Sequence, residues 1–320
     1  MGSDVRIGIS GWRYAPWRGD FYPEGLIQRK ELAFASRAVN SIEINGSFYA
    51  LQTPDRYADW ARQTPDDFVF SVKAPRFITH VKRLRDIEEP LANFFASGVL
   101  RLRRKLGPIL WQFPPSFRFD ENLFDEFLRQ LPHTSNAAKR LAKHSHERLH
   151  KEGYLESAAG LAVRHAVEIR NESFLTPAFV ELLRRHDVAL VVADTAGKWP
   201  CIEDLTSDFV YMRLHGDRKL YSSGYSEKAL QRWHERIELW RRGKQPEDAR
   251  LVLHKAGRRR KSRDVFCYFD NDIKVRAPYD AHRLLEMLDL TAQLSVTPGT
   301  LPEMDSRLHE NTDPELPNLK

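Results

Sequence analysis

Short runs of β-branched and aromatic residues alternate with longer amphipathic stretches along most of the chain. Eight of these runs have the length and composition of buried strands: VRIGIS (5–10), SIEIN (41–45), FVFSVK (68–73), PILWQF (108–113), HAVEIR (165–170), ALVVAD (189–194), FVYMRLH (209–215) and VFCYFD (265–270). Strands that alternate with helices are typical of βαβ units, in which neighbouring strands pair in parallel. The pattern therefore predicts an α/β protein.

Helical patterns separate these strands, and helices are predicted over 29–38, 53–63, 87–107, 120–132, 176–186, 226–242 and 279–290. Thr53-Pro54 and Thr176-Pro177 each place a capping hydroxyl before a proline in the first turn, where the missing N–H leaves no helical bond unmade. KWPCIEDLTS (198–207), after the sixth strand, is predicted to be a loop with at most a short turn.

Eight such alternations over about 290 residues match the count and size of a TIM barrel. The rival fold, a doubly wound open sheet, is disfavoured because GWRYAPWRGDFYP after the first strand contains no glycine-rich phosphate loop. We therefore predict one (β/α)8 TIM barrel over residues 1–292, with a long fourth connection at 120–163. Residues 293–320 contain four prolines and few large apolar side chains, so they are predicted to form a disordered tail.

Polar residues recur near the carboxyl ends of the predicted strands. Side chains alternate along a strand, so if Ile42, Val72 and Met212 face the helices, the other parity faces the barrel interior. That parity contains Glu43, Asn45, Ser71, Lys73, Gln112, Glu168, Arg170, Asp194, Arg213, His215 and Asp270. Because TIM-barrel active sites lie at the carboxyl ends of the strands, these side chains form the candidate site.

The residue types suggest two sets of roles at this site. Carboxylates on different strands can acquire different pKa values and so divide acid and base work, while lysine and arginine bind anionic groups. The candidate catalytic residues are Glu43, Glu168, His215 and Asp194. The candidate substrate-binding residues are Lys73, Arg170, Arg213, Asn45, Gln112, Asp270, Trp12, Tyr14 and His80. The alternative interpretation is an ion-pair network that only closes the top of the barrel.

The loop after the first strand is rich in aromatic residues, namely Trp12, Tyr14, Trp17, Phe21 and Tyr22. Such rings can stack on a sugar or a nucleobase, or they can pack on one another and roof the barrel. The sequence leaves both interpretations open.

Composition and charge limit the class of protein. The 320 residues carry a net charge of +6, and two cysteines are too few for a disulfide framework or a cysteine zinc site. No apolar run is long enough to span a membrane, and the first residues lack the pattern of a secretory signal, so a cytoplasmic protein is expected. Basic runs at 101–105, 139–151, 232–244 and 255–263 suit either solvated surfaces or an anionic partner.

No cofactor is predicted. The alternative is an Mg²⁺ or Mn²⁺ site drawn from Glu168, Asp194 and Asp270, since carboxylate oxygens suit these cations. A multi-metal phosphoesterase would need several strand-end histidines, and only His215 occupies such a position.

Several segments resemble the YecE-like family, domain of unknown function 72. They are IGISGWRYAPWRGDFYP, SIEINGSFYALQTP, FVFSVKAPRFITH, LGPILWQFPPSF, VEIRNESF, ADT, VYMRLHG and YFDND, with Ala277-Pro278 after the last, in matching order from about residue 5 to 290. The resemblance implies a TIM barrel and no settled activity, so it assigns no catalytic residue. The basic fourth connection and the acidic tail depart from the family pattern.

Three functions follow from these observations as hypotheses. The first is an enzyme, a hydrolase or lyase of unassigned reaction, that acts on a small anionic molecule such as a phosphorylated sugar or a nucleotide. The second is a nucleic-acid binding or repair protein that uses the basic runs and the aromatic loop. The third is a non-catalytic binding barrel. The sequence does not specify an oligomeric state, and no membrane association is expected.

Overall fold

Eight parallel strands follow one another around a closed barrel, and β8 pairs with β1 to complete it. The computed structural model describes residues 3–299 apart from 151–153, 158–159, 218–219, 222, 256 and 273–274. The strands are β1 Val5–Ser10, β2 Ser41–Ile44, β3 Val69–Lys73, β4 Leu106–Gln112, β5 His165–Glu168, β6 Ala189–Asp194, β7 Phe209–Leu214 and β8 Asp264–Phe269. The predicted TIM barrel is confirmed, and each strand lies within two residues of its predicted bounds.

Helices connect the strands on the outside of the barrel. They are α1 Glu31–Ala38, α2 Gly46–Tyr49, α3 Pro54–Gln63, α4 Glu88–Ala96, α5 Glu121–Gln130, α6 Ser135–Ala142, α7 Pro177–Arg185, α8 Glu227–Arg241 and α9 Arg276–Met287. The predicted caps are present, since the hydroxyl of Thr53 accepts from the backbone N–H of Arg56 and that of Thr176 from Phe179. Residues 195–208 are all described and contain no helix, as predicted.

Two apolar layers hold the barrel together. The outer layer packs strand residues such as Ile9, Val72 and Val192 against the helices. The inner layer fills the lower barrel with Leu110, Ala166, Ala189, Val191, Phe209 and Phe266. Above it, hydroxyl pairs cross the barrel: Ser41 lies 2.8 Å from Tyr268, and Ser71 lies 2.6 Å from Tyr211, oxygen to oxygen. The interior therefore changes from apolar to polar toward the carboxyl ends of the strands.

The predicted helix over 87–107 is wrong beyond residue 96. Gly98 adopts a φ of 101°, and a Cβ atom there would lie 2.4 Å from Pro54 Cα at the start of α3. The chain turns at this glycine, because only glycine tolerates both the left-handed backbone and the close approach. A 3-10 segment, Val99–Lys105, then leads into β4.

The long fourth connection contains α6 in addition to the predicted α5. Thr134 caps α6 by accepting from the N–H of Ala137, and it pairs with Ala162 in an isolated antiparallel bridge. The connection therefore folds back on itself beside β5.

The first residues of the predicted tail contact the barrel. Val296 is buried and donates its backbone N–H to the Arg37 carbonyl, and Gly299 donates to the Phe21 carbonyl. Residues 300–320 lie outside the described residues, so their predicted disorder stays a prediction. Within the part of the chain that the structure describes, no helix is long and apolar enough to cross a membrane.

Candidate functional site

The guanidinium of Arg213 lies at the centre of a polar array at the carboxyl-terminal mouth of the barrel. Arg213 is fully buried on β7. It donates to Glu43 Oε1 (2.9 Å), to Glu168 Oε2 (2.8 Å) and to Asp270 Oδ2 (3.0 Å). Burial alone would lower the pKa of Arg213, but the three carboxylates raise it well above its ordinary value. One cation therefore bridges carboxylates from three different parts of the barrel.

Glu43 is held by neutral donors as well as by Arg213. The Ser10 hydroxyl donates to Glu43 Oε1 (2.6 Å), and the Tyr211 hydroxyl donates to Glu43 Oε2 (2.7 Å). The amide of Asn45 donates to Ser10 Oγ (2.9 Å). Every oxygen of the Glu43 carboxylate thus has at least two donors, which fixes its orientation.

Glu168 and Asp270 each have a second partner beside Arg213. Arg170 Nε donates to Glu168 Oε1 (2.8 Å), and His215 Nδ1 lies 3.0 Å from Asp270 Oδ2. Burial would raise the pKa of both carboxyls, but the surrounding cations, Arg170 first for Glu168 and Arg213 first for Asp270, hold both pKa values well below their usual range. Both carboxylates are therefore ionised at neutral pH.

Lys73 is the buried cation of the array that has no partner. It ends β3 with 9% of its surface exposed, and its Nζ lies 4.4 Å from the centroid of the Phe48 ring. Within the described residues, Nζ has no carboxylate at ion-pair distance and no hydrogen-bond acceptor. Burial, with Arg213 nearby, lowers the pKa of Lys73 to about 8. Glu43, Glu168 and Asp270 therefore balance the charge of Lys73 only at a distance, and the ammonium has no direct ion pair or hydrogen-bond acceptor among the described residues.

His80 lies on a π-helical turn, Phe77–Val81, that follows β3. Its ring meets Phe48 edge to face at 5.2 Å, and its Nδ1 lies 2.8 Å from the Thr79 hydroxyl. Burial, with the cations Arg76 and Lys73, lowers the pKa of His80 to about 4. His80 is therefore neutral near pH 7 and can offer a hydrogen bond but no charge.

A cavity of about 360 Å³ opens beside the array, between the first two β/α loops. Its walls include Trp12, Tyr14, Trp60 and Asn45. The hydrogen of Ser10 is given to Glu43, so Asn45 must present its NH2 group to Ser10 and its Oδ1 elsewhere. Asn45 Oδ1 is buried and has no partner within the described residues. The cavity therefore offers an aromatic wall beside the array.

The family model described as "Protein of unknown function DUF72" matches residues 6–305. The chain belongs to the DUF72 family. This confirms the resemblance predicted from the sequence motifs. Membership of this family assigns no activity.

Relatives of this DUF72 chain are found among curated proteins. UPF0759 protein YunF of Bacillus subtilis (strain 168) is 26% identical over 305 residues, which cover 89% of this chain and 95% of YunF. UPF0759 protein YecE of Escherichia coli (strain K12) is 31% identical over 113 residues, which cover 35% of this chain and 39% of YecE.

Solved structures of the family share the architecture. A crystal structure of a DUF72 family protein from Thermotoga maritima has a TM-score of 0.67 at 25% identity, covering 89% of this chain and 99% of that chain. A DUF72 family protein from Enterococcus faecalis has a TM-score of 0.61 at 16% identity, covering 90% of this chain and 98% of that chain, which shows the fold alone.

Asp194 was predicted to face the barrel interior, and the structure contradicts this orientation. Asp194 faces the helices, because Val191 and Ala193 on the same strand occupy the barrel interior. Its carboxylate lies 3.7 Å from Arg232 of α8. Glu168, Asp194 and Asp270 therefore do not converge on the metal site considered from the sequence, and no group of three or more metal-ligating side chains occurs among the described residues.

The aromatic loop of this DUF72 chain is mostly packed. Trp17, Phe21 and Tyr22 are fully buried, and Trp12 meets Trp60 edge to face at 5.2 Å. Tyr14 is only partly buried and donates to the Ser10 carbonyl (2.6 Å). Of the loop's aromatic residues, Trp12 and Tyr14 line the cavity, so the packing interpretation holds for the others.

Gln112 faces inward as predicted, but its amide donates to the Phe113 carbonyl (3.1 Å) and it contributes no bond to the charged array. The sequence missed Ser10 and Tyr211, which have the inward parity of β1 and β7 and could have been found by applying the same alternation to hydroxyl residues. Trp60 could not have been found, because a helix residue gives no sign of which loop it meets.

Proposed function

We propose that this protein is an enzyme that acts on a small anionic molecule, such as a phosphorylated sugar or a nucleotide, at the mouth of the barrel. The observation that carries the proposal is the buried, unpartnered ammonium of Lys73 within an array whose other charges are paired.

The charged groups that reach solvent at the mouth favour a negatively charged ligand. A buried ammonium without a hydrogen-bond acceptor is unfavourable even near carboxylates, and a ligand that supplies the acceptor recovers that free energy on binding. Lys73, Arg170 and Asp270 are the charged groups of the array with solvent access, at 9% of the residue surface for Lys73 and 12% and 15% of the side-chain surface for the others. Two of these three are cations, which supports an anionic ligand.

The cavity beside the array suits the uncharged part of the ligand. Asn45 follows the β2 residue that pairs with Val72, so it lies beside Lys73 on the neighbouring strand. A cavity of about 360 Å³ is within the range of small-molecule sites. Trp12 and Trp60 in its wall suit the face of a sugar or base.

His215 has no ring nitrogen free for a ligand, because it is fully buried with Nδ1 beside Asp270 and Nε2 3.4 Å from Arg213 Nη1. Glu43 and Glu168, the leading candidates from the sequence, are both tied to Arg213, and the lowered pKa of Glu168 leaves it no proton to donate at neutral pH. These two carboxylates instead hold the cations in place. Asp270 lies 3.0 Å from His215 Nδ1, so the His215 ring belongs to the same buried network.

The test measures binding of ribose 5-phosphate and adenosine monophosphate by isothermal titration calorimetry. We expect Lys73→Gln to weaken binding at least about ten-fold, the effect of one lost charge-assisted contact, and Lys73→Arg to retain most of it. Lys244→Gln is the matched control, because Lys244 is exposed and precedes β8, at the opposite face of the barrel. Equal affinity of the wild type and Lys73→Gln for both ligands would contradict the proposal.

The basic runs give less support to nucleic-acid binding. Arg101 and Arg103 both pair with Glu156, and Arg236 pairs with Glu203. These side chains are neutralised within the protein, which reduces the positive field available to a phosphate backbone. Binding of single-stranded DNA that falls steeply with salt and persists in Lys73→Gln would favour that function instead.

A further inference from the structure

We propose that Lys73 is a nucleophile whose Nζ forms a Schiff base with an aldehyde or ketone that also carries an anionic group. This inference rests on the proposed function and narrows its substrate class to anionic carbonyl compounds, such as a phosphorylated sugar in its open-chain form or an oxo acid.

The amine of Lys73 makes no hydrogen bond to the protein among the described residues. A lysine that donates its hydrogens to fixed acceptors cannot turn its lone pair toward a carbonyl carbon, and Lys105 is such a residue: its Nζ donates to the Ala61 carbonyl (2.7 Å) and the Thr64 carbonyl (2.9 Å). Lys73 Nζ has no such bond within the described part of the chain and lies on the face of Phe48. Its lone pair can therefore be directed at a ligand in the mouth.

The lowered pKa of Lys73 increases the fraction of its amine that is neutral. Only the neutral amine attacks a carbonyl, and a desolvated lysine beside another cation is more often neutral. With a pKa of about 8, roughly a quarter of Lys73 is neutral at about pH 7.5, against roughly 0.1% for an ordinary lysine. The charged and titratable groups that act on Lys73 are Arg213, Glu43, Glu168 and Asp270, and His80 lies close enough to interact with it.

The carboxylates near Lys73 stabilise the iminium product of the reaction. The Nζ lone pair forms a C–N bond while the carbonyl oxygen takes up the proton released by the ammonium. The resulting carbinolamine loses its hydroxyl as water, so ammonium and carbonyl give iminium and water with no other reactant. The iminium keeps a fixed positive charge near Glu43, Glu168 and Asp270, the carboxylates that act electrostatically on Lys73.

The test is reductive trapping of the full-length protein. Glyoxylate, pyruvate or ribose 5-phosphate is added with sodium cyanoborohydride, which delivers hydride to an iminium carbon, and the modified lysines are identified by peptide mass mapping. We expect Lys73 to be labelled at least ten-fold faster than Lys105, the internal control. Acetaldehyde, which lacks an anionic group, should label Lys73 at least ten-fold more slowly than glyoxylate. The Lys73 rate should rise with pH and level off above about pH 8.

The outcomes separate this inference from the proposed function. Lys73→Arg keeps the charge but is not a Schiff-base nucleophile, so it should bind ribose 5-phosphate and give no label at position 73. If Lys73 is not labelled by any of the three carbonyls while Lys73→Gln still loses ribose 5-phosphate binding, the nucleophile is wrong and the anion site stands. If neither labelling nor binding depends on Lys73, both proposals fail. Equal labelling by acetaldehyde and glyoxylate would overturn the anionic substrate class.

Discussion

Replacing Arg213 with methionine tests whether this residue holds the array together. The substitution keeps much of the side-chain length and removes every hydrogen bond to Glu43, Glu168 and Asp270. Removing one partner of a buried ion pair costs about 3–5 kcal/mol, because an uncompensated charge is left behind. Since one guanidinium here serves three carboxylates, we expect a loss of at least about 3 kcal/mol in the free energy of unfolding at about pH 8.

The pH dependence of this loss gives a sharper signature. In the wild type, the lowered pKa values of Glu168 and Asp270 contribute stability above the ordinary carboxyl pKa, and that stability is lost as the pH falls through the folded-state values. In the variant, burial without Arg213 raises the pKa values of Glu168 and Asp270. Protonation of these carboxylates as the pH falls therefore stabilises the folded variant. The difference between the two proteins should therefore shrink from about pH 8 to about pH 5.

Urea unfolding followed by tryptophan fluorescence measures both effects. Arg62→Met is the control, because Arg62 is 70% exposed in its ion pair with Asp59 and such surface pairs contribute about 0–1 kcal/mol. A wild-type-like stability of Arg213→Met at about pH 8, or a deficit that does not change with pH, would refute the reasoning.

Two further predictions concern residues outside the array. Asp194→Asn should leave the calorimetric affinity for ribose 5-phosphate within about two-fold of the wild type, because Asp194 faces α8, and a ten-fold loss would contradict this placement. His165 accepts from Trp111 and contacts the Pro132 carbonyl, and burial lowers its pKa to about 3. The unfolded chain therefore binds a proton that the folded protein excludes, so stability should fall below about pH 6.5 by up to about 1.4 kcal/mol per pH unit from this residue. Urea unfolding of His165→Gln should show a shallower decline, and parallel pH profiles for the two proteins would refute it.

Strand positions could be predicted because each strand is a short apolar run between turn residues. The break after α4 could not, since it depends on how closely Gly98 approaches Pro54, a contact between elements distant in the chain. The missed α6 is only eight residues long, and although Ala138, Leu141 and Ala142 lie on one face, so short a run gives a weak helical signal.

The candidate site was predictable where polar and apolar residues alternate, as they do around Glu43, Lys73 and Arg213. The same argument failed for ALVVAD on β6, because both faces of that strand are apolar and the alternation cannot say which one faces inward. The sequence could not show that Arg213 bonds to three carboxylates while Lys73 has no direct ion pair among the described residues. Both facts depend on distances across the barrel.

An experimental electron-density map of crystals soaked with ribose 5-phosphate at neutral pH is the most direct test of the account. We expect the ligand in the mouth, with a phosphate oxygen or the carbonyl carbon within bonding or hydrogen-bonding distance of Lys73 Nζ. The proposal that Lys73 binds the substrate would be contradicted if Lys73 Nζ were paired with Glu168 or Asp270 and the mouth contained only water.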